Sequence, residues 1–238
     1  MIIPRRFLVL ILLTLAGAAT FARLGVWQLS RLAERRAYNA HLEERLAAPP
    51  VQVTSLSADS ATGHYRRVSA RGVFDYSAQV ALAARSSQGS PGVHVLTPLR
   101  LAGDTIVMVN RGWVYSPDAR TIDLATWREN EGDTITVVGY AETWTGRETA
   151  PLPVALHTVR TLDSAAVAQR VGAPILGYYV VQTSGPAASA ATPVRLGEPT
   201  LDEGSHRNYA IQWFSFTLIA LIGGSLLVRR EVMDRSGS

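Results

Sequence analysis

YAIQWFSFTLIALIGGSLLV, residues Tyr209–Val228, is a run of 20 residues without a charge, closed by Arg229 and Arg230. A helix rises about 1.5 Å per residue and a bilayer's hydrocarbon core is about 30 Å thick, so about 20 apolar residues suffice to cross it. Tyr209 and Trp213 bring amphipathic rings to the start of the run, where an interface favours them, and the arginine pair marks the other end. The reading is a transmembrane helix over 207–228 and a short tail over 229–238. At the opposite end of the chain, Phe7–Ala22 follows Arg5 and Arg6 and is again uncharged. It reaches full length if the helix continues through Arg23 to Trp27, giving a first span over 7–27 with the arginine snorkelling outward. The same stretch also fits a cleavable secretory signal, with its basic start and the small residues Ala16-Gly17-Ala18. Arginines flank both runs on their outer ends, so the tails (1–6 and 229–238) read as cytoplasmic and the long loop as extracytoplasmic. Arg23, Arg31, Arg35 and Arg36, just inside the loop, count against that orientation.

Composition narrows the chemistry. The chain has no cysteine, which excludes disulfides, thiolate nucleophiles and Cys-ligated metals. Every basic residue is arginine, and the modest positive balance (+4) reads as membrane topology and surface solvation. No basic cluster is interleaved with aromatics along a groove-sized element, so nucleic acid is not an expected partner.

Between the spans, Trp27–Ala47 lacks Gly and Pro and is rich in Ala, Leu, Glu and Arg, which predicts that the first helix continues out of the membrane until Pro49-Pro50. The stretch 28–63 is thus a juxtamembrane helix followed by a polar, turn-rich linker. From His64 the pattern is that of strands. Val68, Ala70, Gly72 and Phe74 share one face of the first; Val80, Leu82 and Ala84 share one face of the next. Val93, Val95, Thr97, Leu99 and Leu101 alternate in the third, where Pro98 marks an edge or a bend. Ile106, Val107, Met108 and Val109 are consecutive, which predicts a strand over Thr105–Val114 buried on both faces, and Gly112 within Asn110-Arg111-Gly112 points to a bulge or a close backbone approach. After a turn at Glu131-Gly132-Asp133, Thr134–Tyr140 is a further strand. Asp163 caps a short helix over Ser164–Val171 that Gly172 and Pro174 end, and Gly177–Thr183 is the last strand. A compact β-rich domain over 64–183 is expected, mainly antiparallel, folded as a sandwich or an open barrel with one short helix. The Ala-, Pro- and Gly-rich stretch from 184 to 206 reads as a linker to the second span. The fold class is therefore a membrane-anchored α+β protein with two transmembrane helices flanking one extracytoplasmic domain.

No nucleophile elbow, P-loop, zinc-helix motif or dinucleotide glycine fingerprint is present, and the five histidines are scattered. The residues provide no catalytic set and no metal-ligand set. His206 stands apart because it lies three residues before Tyr209, at the outer mouth of the second span. An imidazole there is either a haem ligand or an interfacial histidine bound to headgroups and water.

Several segments carry a family resemblance. Leu24-Gly25-Val26-Trp27-Gln28-Leu29 with Arg31, Tyr65-Arg66-Arg67-Val68 with Gly72 and Phe74, Gly92–Leu99, Val109-Asn110-Arg111-Gly112-Trp113-Val114 and His206–Phe214 occur in this order along nearly the whole chain. Together they resemble the motifs of the Surfeit locus protein 1 family. The resemblance implies an assembly factor for cytochrome c oxidase and other haem–copper oxidases, not an enzyme. It implies an uncleaved first span, a main domain on the outer face of a bacterial plasma or inner mitochondrial membrane, and both termini on the inner side. The partners it implies are the oxidase core subunit, haem a synthase and the bilayer, with haem a as a transient ligand. The family's haem-linked histidine corresponds to His206, although Ser205 and Arg207 depart from the common Asn and Leu beside it.

Physical jobs for the matched residues follow from their chemistry. Tyr209 and Trp213, which follow His206, are further candidates for contact with the cofactor, with anchoring at the interface as the other reading. Trp27 suits an interface, and Gln28 offers hydrogen bonds to a partner or to the second span. Ala18 with Ala22, and Ala220 with Gly224, form small-residue patches that let helices approach. Arg111 is a candidate for a propionate or carboxylate, with a salt bridge inside the domain as the other reading. Asn110, Gly112 and Trp113 complete the strand motif. Two further readings stay open: a membrane-anchored scaffold that binds oxidase subunits without ligating haem, and an extracytoplasmic enzyme.

Overall fold

The computed structural model describes residues 5–57, 60–128, 134–144, 157–184 and 192–236. The predicted turn at Glu131-Gly132-Asp133 and residues 185–191 of the predicted linker lie outside them. In chain order the elements are α1 (Arg5–Ala47), β1 (Val51–Gln52), the single turn α2 (Ser60–Gly63), β2 (Arg67–Phe74), β3 (Val80–Ser87), β4 (Ser90–Arg100), β5 (Ile106–Tyr115), β6 (Ile135–Thr143), β7 (Thr158–Val159), α3 (Ser164–Val171), β8 (Ile175–Ser184) and α4 (His206–Ser236). They fall into two compact units, Met1–His41 with Leu201–Ser238, and Leu42–Thr200.

The first unit is a helix pair. α1 is one uninterrupted helix through Trp27 and on to Ala47, as the absence of Gly and Pro from that stretch dictates. Contacts run in opposite order along the two helices, Gln28 with His206, Phe21 with Trp213 and Phe216, and Thr14 with Gly224, so they are antiparallel. Ala18 is buried and a Cβ on Gly224 would run into Thr14, which gives two of the predicted small residues their packing role. Leu8, Leu12, Leu13, Ile219 and Ile222 are more than half exposed on the remaining faces. Both helices are long and apolar enough to cross a membrane, and they are compatible with a membrane anchor.

The second unit is one eight-stranded mixed sheet in the order β1-β2-β6-β8-β5-β4-β3-β7. Antiparallel pairings predominate, but β1–β2, β3–β7 and β5–β8 are parallel. β2 pairs with β6 along its length and with β4 at Val73↔Arg100 and Phe74↔Leu99, so the sheet curls until five strands form a ring. This is a barrel narrowly closed, not a sandwich. Closure occurs beside Gly72, where any Cβ would meet the Arg100 carbonyl. The interior is filled by Val68, Ala70, Phe74, Leu99, Val107, Val109, Val137, Ala141 and Val180. α3 lies over the outer side, where Val167 packs with Val80, Leu96, Met108 and Leu162. Its boundaries are those the sequence predicts: Asp163 accepts from the backbone N–H groups of Ala165 and Ala166, and Gly172 adopts a left-handed conformation.

Some local expectations are corrected. Ala84 does not share a face with Val80 and Leu82. The β3–β4 register shifts between Leu82 and Arg85, and Ala84 sits at φ +57 with its N–H given to the Ala119 carbonyl. β4 is not an edge strand, since it pairs with β5 on one side and with β3 and then β2 on the other. Pro98 stands between the last β3 partner, at Leu96, and the first β2 partner, at Leu99, where its missing N–H leaves no ladder bond unmade; its carbonyl accepts from the Asp75 N–H. The stretch read as a turn-rich linker contributes β1 to the sheet, and past β8 the chain returns at Val194, which exchanges two backbone hydrogen bonds with Trp113.

Candidate functional site

The helix pair places His206, the first residue of α4, against Gln28 of α1. His206 Nδ1 lies 2.8 Å from Gln28 Oε1. A carboxamide oxygen can only accept, so Nδ1 carries a proton, and it is Nε2 whose lone pair the neutral form of the ring would present. This is the tautomer of a metal-ligating histidine whose other nitrogen is held by an oxygen. Gln28 is 9% exposed and His206 half-buried, so the bond sits at the rim of the helix contact. Trp213 is stacked on Phe21 (centroids 5.9 Å apart), while Tyr209 and Trp27 are each 48% exposed. The Arg31 guanidinium lies over the Trp27 ring at 5.8 Å and is bonded to Glu34.

The height at which α4 begins is fixed by α1 itself. Arg36 makes a two-pronged contact to the Glu203 carboxylate (2.8 and 2.9 Å), Arg35 donates to the Asp202 carbonyl at 3.0 Å, and Asn39 donates to the carbonyls of Leu201 and Asp202. The hydrogen bond from Arg36 holds the Glu203 carboxyl below its ordinary range. Gly204 then turns the chain at φ +72 into α4. Sequence reasoning missed this clamp. Its only trace was the match between a basic pair, Arg35-Arg36, and an acidic pair, Asp202-Glu203, far apart in the chain.

In the sheet unit, Asn110, Arg111, Gly112 and Trp113 form the predicted irregularity in β5. Val95 pairs with Gly112 and Leu96 with Asn110, so Arg111 is the extra residue of a bulge. Gly112 sits at φ +136 with its Cα against the Val194 carbonyl, a position open only to glycine. Arg111 is fully buried between the rings of Phe74 and Tyr76, each 5.3 Å from its guanidinium carbon, and donates to the Trp127 carbonyl at 2.6 Å. In the sheet unit this guanidinium therefore reaches no surface at which to meet a ligand carboxylate. The side chain of Trp113 covers Gly92.

Asn110 orders a second histidine. Its Oδ1 accepts the Gly112 N–H at 3.2 Å, which leaves Nδ2 to donate to His94 Nδ1, also at 3.2 Å. Burial, reinforced by the nearby Arg85, pushes the His94 imidazole down to about 4, so it is neutral with its proton on Nε2. Elsewhere His64 Nε2 contacts Glu142 at 2.9 Å. Among the described residues no three His, Asp or Glu side chains are placed to hold a metal ion.

A sequence model of the SURF1 family matches residues 15–218, from the first helix through the sheet to the second helix. The chain belongs to the SURF1 family. Among its relatives, an uncharacterized SURF1-like protein of Mycobacterium tuberculosis is 26% identical over 220 residues, covering 90% of this chain and 80% of that protein. A SURF1-like protein of Rickettsia felis is 26% identical over 218 residues, covering 89% and 92%. Surfeit locus protein 1 of Arabidopsis thaliana is 36% identical over 117 residues, 44% of this chain and 33% of that one. In this SURF1-family chain the structure brings together His206 and Gln28, with Tyr209, Trp213 and Trp27 in the same helical unit. Asn110, Arg111, Gly112 and Trp113 belong to the sheet unit.

Proposed function

We propose that this SURF1-family protein is a membrane-anchored assembly factor for cytochrome c oxidase that handles haem a as cargo through His206. The observation that carries this reading is the 2.8 Å bond from His206 Nδ1 to Gln28. It fixes the tautomer and turns Nε2, the nitrogen that binds iron, away from the helix contact. Half-exposed aromatic side chains at Trp27 and Tyr209 offer apolar surface in the same unit. A single protein ligand on a half-buried rim favours release as much as capture, which suits delivery to the oxidase core subunit or receipt from haem a synthase. The two apolar helices act as retained membrane spans, with the sheet unit extracytoplasmic and both termini inside. The protein works by binding and positioning, not by turnover.

The test is to purify the detergent-solubilised protein from cells that make haem a and record its absorption spectrum. Wild type is expected to carry haem a and His206→Ala to lose it. Wild type without haem, or His206→Ala with an unchanged spectrum, removes the ligand reading and leaves the scaffold. Full haem content in the oxidase of cells lacking this protein removes the assembly role.

A further inference from the structure

The sheet unit contains a cavity of about 180 Å³ on the face opposite the barrel interior. Leu96, Asn110, Val181 and Tyr140 form one row in register across β4, β5, β8 and β6, and Tyr179 faces Glu142 in the next. Their chain neighbours Val109, Val180 and Ala141 point into the barrel, so this row points out. Leu162, ahead of α3, and Leu196, past β8, line the cavity from outside the sheet.

The polar groups here are unequal in kind. His94 presents an Nε2–H, because Asn110 holds its other nitrogen. Tyr140 and Tyr179 line the cavity, and among the described residues neither phenol oxygen has a protein hydrogen-bond partner. Burial and the charge of Glu142 push both phenols above their ordinary value, so they remain protonated donors. One Glu142 oxygen already accepts from His64 and from the Thr143 N–H. Arg85, of opposite charge, also lines the cavity. The result is a surplus of hydrogen-bond donors among leucine and valine walls, with no net charge to spare.

We propose that this cavity binds a compact, uncharged molecule of about one ring that presents a carbonyl oxygen on an apolar body. An anion would add a second negative charge beside Glu142, and a bare hydrocarbon would leave the phenol and imidazole donors without acceptors. The volume falls below the 300–1,000 Å³ typical of pockets for drug-sized ligands, which excludes a porphyrin and any long chain. The proposal is independent of the haem reading, since none of these residues belongs to the helix pair.

The experiment uses the full chain in detergent with nitrogen-labelled tryptophan. Trp144 packs on Tyr179 at 5.4 Å and donates its indole N–H to the Leu176 carbonyl, so its indole signal, assigned with Trp144→Phe, reports on the cavity. Acetophenone is titrated as the probe, with benzoate and ethylbenzene as comparators. A saturable shift is expected with acetophenone, with a Kd on the order of 1 mM for so small a molecule, and at least roughly tenfold weaker responses to the other two. Tyr179→Phe and His94→Gln should each weaken acetophenone by about five- to tenfold while leaving the thermal midpoint at neutral pH within a few degrees. The proposal is overturned by absence of a saturable shift, by equal responses to the three probes, or by unchanged acetophenone affinity in both folded variants. Should a variant fail to fold, the three-probe comparison on wild type decides alone.

Discussion

Replacing Gln28 by leucine removes one acceptor while keeping the bulk of a buried side chain, and it isolates the part of the site that orients His206. In wild type the Nδ1–H points at Oε1 from 2.8 Å. A buried donor left without an acceptor costs about 1–3 kcal/mol. His206 is half-buried, so water restores part of that, and the lower half of the range applies. The ring is then also free to adopt the other tautomer and to rotate. Loss of the oxygen behind a metal-ligating histidine typically costs 10- to 100-fold in metal affinity, and the partial exposure here places the expected loss near tenfold. The assay is a titration of the detergent-solubilised protein with haem a, followed by Soret absorption, for wild type, Gln28→Leu, Gln28→Glu and His206→Ala. Gln28→Glu should retain binding and lower the midpoint potential, because a carboxylate makes the ligating imidazole a stronger donor. Gln28→Leu with wild-type affinity and spectrum, alongside a His206→Ala that loses the haem, would refute the orienting role while sparing the ligand.

Other outcomes follow from single contacts. Gly112→Ala places a Cβ into the Val194 carbonyl at a φ of +136 and should cost about 2–4 kcal/mol, read from chemical denaturation of the purified chain. The His94 imidazole has a folded-state value near 4, below its unfolded 6.5, so its contribution is complete above pH 6.5 and is lost as pH falls toward 4. That displacement is worth on the order of 3 kcal/mol; thermal midpoints should fall between pH 6.5 and 4.5 in wild type and fall much less in His94→Gln. Gly224→Leu should force the helices apart at Thr14 and lower the unfolding temperature in detergent, whereas Gly17→Ala, which meets nothing within 4 Å, should not. Asp163→Ala removes the acceptor of two backbone N–H groups at the start of α3 and should cost about 1 kcal/mol, measured by urea unfolding.

The legible features were those governed by local chemistry. The two uncharged runs, the proline-free extension of α1, the Asp163 and Gly172 caps and the irregularity at Asn110-Arg111-Gly112 were all readable, because each depends on a few adjacent residues. The face given to Ala84 and the edge reading of Pro98 failed for the opposite reason. Alternation assigns a residue to a face only while the register runs unbroken, and a strand is an edge only if no distant strand pairs with it. Both conditions depend on partners far away in the chain. Arg111 shows the same limit in chemistry. Its residue type suggested either a ligand carboxylate or a salt bridge inside the domain, yet the bulge turns it between Phe74 and Tyr76, and only the fold brings those rings to it.

By itself the sequence determined two apolar helices around a strand-rich segment, the family, and His206 as the histidine worth attention, since length, charge and motif order are properties of the linear chain. Tertiary structure decided that the sheet curls into a ring, that Gln28 sets the tautomer of His206, that Arg35, Arg36 and Asn39 hold the turn before it, and that Asn110 and His94 meet beside two phenols. Each of these joins residues more than ten positions apart. Hydrogen bonds of this kind are selected by where the backbone is held, and no spacing in the sequence encodes that.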